Sequence, residues 1–525
     1  MGMNTQQNPY NQQQPPQMGQ SGMMPPQMPP LPPRGQWQRR AMNAIGKVKK
    51  AFPAWLMQYG IFVYILSLAV VGLVYSNHLM PWYYIVAGII SVGVFFLYGR
   101  TLVNNQSVER VRKEKTYERR IFIISFVIRV VWMVLIYVIF MQNYGDSFGF
   151  ENGDATFYDE LGKDFAISMR NGNFSEMWTR YNVKIDLSDL GYGVYVGIIY
   201  WLTGDSIIVV RLLKCIWSTL TVLLIYRLTQ RNFNKQIARI AAILCALWPN
   251  FWYYCGTHLK ETEMTFLAVL FVEQADQMLR SRQFTAWKVI PVLLIAAILF
   301  TFRTPLALVA VLALVFAVVM SSSKVVTWGK RIIVGVLAIL LIGVTMGERI
   351  EEQASTLYEQ VSSGQQEKNM EWRTRRENGN AFAKYAGKSV FAPLIFTIPF
   401  PSMVRPFEGQ DVQQLLNGGN FVKNIISFFT IFAIVMLLLT SNWKDHLLPL
   451  SFLLAYLVVL TMSQFAQSER FHQPAMPLEF MFAAYGLSIV VTKQKYKRWF
   501  TYWCGVMFVA CIAWNWFKIA GRGLA

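Results

Sequence analysis

A few ionisable residues interrupt an otherwise apolar chain, and their types suit proton transfer and anion binding. Asp154 stands in Asn152-Gly-Asp-Ala-Thr-Phe-Tyr-Asp, with Tyr158 four residues on and therefore on the same face of a helix. A carboxylate shielded by aromatic rings can take the proton of a hydroxyl acceptor, while an Asp in this position is also a common helix N-cap. Lys260 and Glu261, in Thr257-His-Leu-Lys-Glu-Thr-Glu, open an apolar helix, where an ionisable group needs a purpose or a partner. The plainer readings are a macrodipole contact for Glu261 and snorkelling for Lys260. Arg303, in Phe302-Arg-Thr-Pro, separates two apolar stretches and suits a lipid phosphate. Arg129, Arg211 and Lys214 lie within apolar stretches, and Arg470 and His472 share Ser468-Glu-Arg-Phe-His-Gln-Pro. A Glu469–Arg470 salt bridge and a ligand contact both fit that last cluster.

Other chemistries find no support. The four histidines, His78, His258, His446 and His472, lack metal spacing. Gly191-Tyr-Gly-Val-Tyr-Val-Gly has its third glycine one place late for a dinucleotide fingerprint and no preceding strand, and neither a P-loop nor a Gly-x-Ser-x-Gly occurs. The five cysteines lie in or beside apolar segments and read as small core residues. Asn173-Phe-Ser is a glycosylation sequon by pattern alone.

These residues are positioned by membrane-spanning helices. Of the 525 residues, 54% are apolar and only 15% charged, against roughly 25% charged in soluble domains, and mean hydropathy is +0.33. A soluble enzyme is excluded. Apolar stretches near the ~20 residues that cross a bilayer recur from 54 to 517, giving thirteen expected spans: 54–76, 82–99, 121–142, 205–226, 237–254, 260–279, 286–302, 305–320, 331–347, 421–440, 446–463, 474–492 and 499–517. With the amino terminus inside, inward segments hold 28 basic residues, whereas the short outward connections hold only Arg303 and Arg470. The positive-inside rule therefore sends the two long connections, 143–204 and 348–420, outward. The net charge of +20 is thereby explained by topology and does not call for nucleic acid.

The expected organisation is a disordered Gln/Pro-rich cytoplasmic tail with a basic anchor (1–53), an extra membrane hairpin and basic inner loop (54–120), and a membrane core (121–347) with the acidic outer loop 143–204. A basic outer loop (348–420) and a carboxyl-terminal bundle (421–525) complete it. The first run of apolar residues follows a polar tail of some 50 residues and reads as an uncleaved span. Gly191–Thr203 and the pieces around Phe391 and Ile398 are too short to span and are expected to lie in the outer interface.

The order of these features resembles the GT-C superfamily of integral-membrane glycosyltransferases, nearest to bacterial relatives of protein O-mannosyltransferases and aminoarabinose transferases. The resemblance runs through Gly153-Asp-Ala-Thr-Phe-Tyr158, Gly191–Gly204, Val210-Arg211 to Tyr226, Ala241–Pro249, Leu259-Lys-Glu261, Arg303-Thr-Pro305 and Glu469-Arg-Phe471. It covers residues 121–340 well and 341–525 more weakly, and residues 1–100 lie outside the common core. It implies an all-α polytopic enzyme that passes a sugar from a polyprenyl-phosphate carrier to an acceptor hydroxyl on a glycan, lipid or protein at the extracytoplasmic face of the cell membrane. Asp154 would be the base, and Glu261 a second acid orienting the acceptor or a metal. Arg303 would be the chief phosphate contact, with Lys260, Tyr158, Arg211, Arg470 and His472 as further substrate contacts. A divalent metal is the one cofactor candidate, and membrane lipids are the other partners. The chain departs from the family at Glu261, where many relatives carry Asp, and at Asp189-Leu-Gly-Tyr, which replaces a His-Pro-Pro-Leu or Lys-Pro-Pro-Leu signature. Two other classes carry different expectations. A polysaccharide polymerase or ligase would centre on Arg373, Arg375 and Arg376, and a lipid-linked glycan transporter would show repeats or charges near the midplane.

Overall fold

Inside hydrocarbon no water is present to satisfy backbone amides, so a chain this apolar resolves into helices that satisfy their own. The computed structural model describes residues 51–108, 114–173, 187–281, 285–320, 394–406, 411–463 and 466–520, with isolated positions 329, 332, 335 and 336. All regular elements among them are helical, and the one bridge pairs Leu79 with Val404. The basic run at 371–376, the expected span at 331–347 and the amino-terminal tail lie outside the described residues.

The helices are α1 (Ala54–Val74), α2 (Trp82–Gly93), α3 (Gly99–Val108), α4 (Glu114–Tyr144), α5 (Asn152–Arg170), α6 (Leu187–Thr203), α7 (Ile207–Asn232), α8 (Lys235–Leu247), α9 (Pro249–Gly256), α10 (Glu261–Arg280), α11 (Ala286–Phe302) and α12 (Thr304–Met320). The carboxyl-terminal part adds α13 (Asp411–Leu415), α14 (Asn417–Leu439), α15 (Leu447–Met462), α16 (Met476–Thr492) and α17 (Lys497–Ala520). A π-helical turn over Val94–Tyr98 joins α2 to α3.

Seven of the thirteen expected spans are long and apolar enough to cross a membrane: 54–74, 82–104, 116–144, 207–232, 417–439, 443–462 and 494–520. Three more, 286–302, 304–320 and 476–492, are shorter apolar helices. Of the remaining three, 331–347 lies outside the described residues and two depart from single apolar spans. The stretch 237–254 is two helices because Pro249 drives Trp248 to an extended φ of −70° and ψ of 120°, the conformation that a following proline imposes. The stretch 260–279 is one helix, but Glu261, Glu263, Glu273, Asp276 and Arg280 make it too charged to count as an apolar span.

Packing explains how α10 keeps those charges. It lies against α7, α11 and α12, and its acids are paired: Glu263 with Lys214 at 2.9 Å, Glu273 with Arg231 at 2.7 Å, and Asp276 with Arg280 at 2.8 Å. Close helix crossings rely on small residues, as membrane bundles do. Gly486 of α16 meets the backbone of Phe429 in α14 so closely that a Cβ has no room. Asn417 of α14 accepts from Tyr64 Oη at 2.6 Å and docks the amino-terminal hairpin on the core. The segment 394–406 is pinned by α17: Asn515 Oδ1 accepts from Met403 N at 2.7 Å, while Lys518 Nζ donates to Ser402 Oγ at 3.0 Å. All five cysteines are buried and free, as the sequence suggests.

Candidate active site

The site forms where the amino-terminal ends of α5, α6 and α10, the α11–α12 break and the segment preceding α16 meet. Asp146 Oδ1 accepts from Phe148 N and Gly149 N at 2.7 and 2.9 Å, turning the chain out of α4 into α5. Helix α5 then packs along α6, and small residues allow it: Cβ atoms at Gly162 or Gly193 would strike Val196 or Leu161. Tyr200 donates to Asp159, which also pairs with Lys163 at 2.6 Å, and Arg170 donates to Tyr200 O at 2.8 Å. These bonds fix the middle and the end of α5 against α6; Asp154 lies in its first turn as the third helical residue and not the N-cap.

One guanidinium gathers the two candidate acids. Arg470 Nη1 pairs with Asp154 Oδ2, and Arg470 Nε donates to Glu261 Oε1 at 2.7 Å. Their surroundings differ sharply, since the Asp154 side chain is 59% exposed and that of Glu261 is fully buried. The second oxygen of Glu261 is buried with no partner among the described residues. An unmet buried acceptor costs on the order of 1–3 kcal/mol and so marks a place where a ligand hydroxyl or water is wanted. The Arg470 segment is itself held firmly. Tyr456 Oη donates to Phe471 O at 2.7 Å, and His472 sits between Lys423 Nζ at 2.6 Å and Ala466 O at 2.9 Å.

A second layer holds the cations. Lys260 is 2% exposed, pairs with Asp189 and donates to Ser188 O at 2.6 Å. Asp189 Oδ1 also accepts from Tyr158 Oη at 2.7 Å. Burial alone would push the Asp189 carboxyl up, but Lys260, Tyr158 and the nearby Arg303 together hold it below the usual range. Burial and the neighbouring carboxylates Asp189 and Glu261 push the Tyr158 hydroxyl far up, so it stays a neutral donor. Ser188 ties this layer to the helix break: its Oγ lies 3.0 Å from Thr304 Oγ1 and accepts from Thr304 N at 3.2 Å. Arg303, the residue between α11 and α12, lies over the Phe471 ring at 4.6 Å, and Arg470 lies at 5.6 Å from the same ring.

The structure thus brings together Asp154, Tyr158, Lys260, Glu261, Arg303 and Arg470. His472 faces the interior, against Lys423 and Ala466. Arg211 is buried beside the Tyr137 ring, 5.5 Å away, and donates to Ser147 O. Arg129 bonds Ser125, Ser218 and Ala246 O within the bundle. Asp189, Phe471 and Glu263 escape notice in the sequence as individual candidates. Asp189 had a signal, because it stands where the family signature is broken. Phe471 had only its place between Arg470 and His472. The buried Lys214–Glu263 pair, which holds the Leu259–Glu263 junction in place through Lys214 and Leu259 O, had no signal linking its two members. Among the described residues no group of three or more His, Cys, Asp or Glu could hold a metal ion, and a guanidinium fills the position between the two acids.

Residues 193–346 match the family model described as dolichyl-phosphate-mannose-protein mannosyltransferase. The matched segment contains Arg211, Lys260, Glu261 and Arg303, whereas Asp154, Asp189 and Arg470 lie outside it. No curated protein and no solved structure matches the chain. The match covers under a third of the chain, and together with the helical membrane architecture it is a likeness to membrane glycosyltransferases of the GT-C type.

Proposed function

We propose that this protein moves a sugar from a polyprenyl phosphate to an acceptor hydroxyl of the cell envelope, at the extracytoplasmic end of the bundle. The observation that carries the reading is the convergence of Asp154 and Glu261 on one guanidinium, with Lys260 and Arg303 in the adjoining layer. Asp154, open to solvent, takes the proton of the acceptor hydroxyl as its oxygen attacks the anomeric carbon. The bond from that carbon to the phosphate oxygen breaks, and the phosphate leaves with the electron pair. Preorganised cations stabilise the charge that grows on it, which is where such groups contribute most. Arg303 and Arg470 flank Phe471 and meet that charge; Lys260, already paired with Asp189, holds the wall of the pocket. The free oxygen of Glu261 accepts a hydroxyl of acceptor or sugar and orients it. The outward location follows from the segregation of basic residues to the opposite loops.

The test is transfer by the reconstituted protein from labelled polyprenyl-phosphate sugars. Activity in the wild type and its loss in Asp154→Asn, with expression intact, is the expected result; wild-type turnover in that variant discards the assignment of the base.

A further inference from the structure

Arg470 occupies the position in which it obstructs the proposed reaction. Its Nη1 lies on Asp154, the group that must receive a proton, while Nε is held by buried Glu261 at 2.7 Å. A carboxylate oxygen bonded to a guanidinium has that lone pair committed. The two contacts are not equally hard to break. Released Asp154, 59% exposed, is solvated at once, whereas Glu261, wholly buried, would be left as an unpaired charge. The guanidinium therefore has a pivot at Glu261 and a free-swinging edge at Asp154. The backbone beneath it is tied down through Phe471 O and His472, so the side chain is the part that turns. The Phe471 ring lies within cation–π reach of both Arg470 and Arg303, so an anion seated at the ring edge meets both.

Resting on the donor reading above, we propose that Arg470 is a gate: the phosphate of the lipid donor, arriving beside Arg303, draws the Nη1 edge of Arg470 away from Asp154, so the base is unmasked only when donor is bound. Exchange of an exposed carboxylate for a phosphate is favourable for a guanidinium, whose planar fork matches phosphate geometry. Binding is then ordered, with the donor before the acceptor, and no acceptor hydroxyl is deprotonated at an empty donor site. Arg470 acts on the proton transfer through Asp154 and is in that respect a positioning residue.

The experiment reads Asp154 directly and needs no acceptor. The full chain in nanodiscs is treated with a water-soluble carbodiimide and glycine ethyl ester, with and without undecaprenyl phosphate. Asp154 modification is measured by peptide mass spectrometry relative to Glu160, which is exposed on the same helix, and lipid binding is measured in parallel by native mass spectrometry. Labelling of Asp154 is expected to rise about fivefold with undecaprenyl phosphate, the weight of one partly exposed ion pair, and not with undecaprenol. In Arg470→Gln the labelling is expected to be high from the start and indifferent to the lipid. Should that variant fail to fold, the double variant Arg470→Gln, Glu261→Gln gives the same reading, because neither the guanidinium nor an unpaired buried carboxylate then remains. Bound undecaprenyl phosphate with unchanged Asp154 labelling overturns the gate and leaves the donor reading standing. Failure of the lipid phosphate to bind overturns both.

Discussion

Asp154→Asn and Glu261→Gln separate chemistry from folding, because the two acids share one guanidinium but not one environment. Asp154 is 59% exposed, so its ion pair is screened by solvent and contributes about 0–1 kcal/mol. Its replacement by the isosteric amide should leave unfolding nearly unchanged. As a general base it contributes a rate factor on the order of 10²–10⁴, or roughly 2.7–5.4 kcal/mol of barrier. Glu261 is fully buried, with Oε1 at 2.7 Å from Arg470, and loss of a buried charge-assisted hydrogen bond costs about 1.5–3 kcal/mol. The two variants are therefore expected to diverge: Asp154→Asn folds like wild type and loses transfer at least about 100-fold, while Glu261→Gln unfolds measurably earlier. Transfer from a labelled polyprenyl-phosphate sugar and thermal unfolding are measured on the same purified material. Wild-type turnover in Asp154→Asn refutes the assignment. So does a loss of transfer in that variant that merely tracks a loss of folded protein.

Arg303→Ala should weaken dependence on the lipid donor more than on the acceptor, because Arg303 lies over the Phe471 ring as a candidate phosphate contact; an unchanged donor dependence rejects the role. Asp189, whose carboxyl is held low once Lys260 and Tyr158 outweigh burial, stabilises the fold above its unfolded value of about 3.9, and that contribution is lost as pH falls through the lowered folded value. The stability gap between wild type and Asp189→Asn should accordingly be steady from pH 7 to about 5 and close below about 4; a gap that ignores pH contradicts the pairing. Gly486→Ala should destabilise the α14–α16 crossing by about 1–3 kcal/mol, since the obstructing atoms belong to the backbone of Phe429, and thermal unfolding in detergent at unaltered stability would show that the helices can part without cost.

By itself the sequence determined the helical membrane class, because apolar stretches of bilayer length leave no other way to satisfy the backbone. It also singled out Lys260, Glu261 and Arg303 as ionisable residues in apolar surroundings, Asp154 by its aromatic neighbours, and Arg470 as part of a charged cluster on a short outer connection. It drew single apolar spans at two places where local chemistry overrides hydropathy, at Pro249 and in the charged helix Glu261–Arg280. The partners were decided by tertiary structure alone. Arg470 is 316 residues from Asp154 and 209 from Glu261, and Lys260 is 71 from Asp189, separations at which no periodicity or spacing carries information. Which of two carboxylates is solvated and which is sealed, and therefore which can serve as a base and which as a pivot, depends on what packs around each after folding. Burial and distance between remote residues are properties of the assembled bundle, because they arise from helices that meet only in three dimensions.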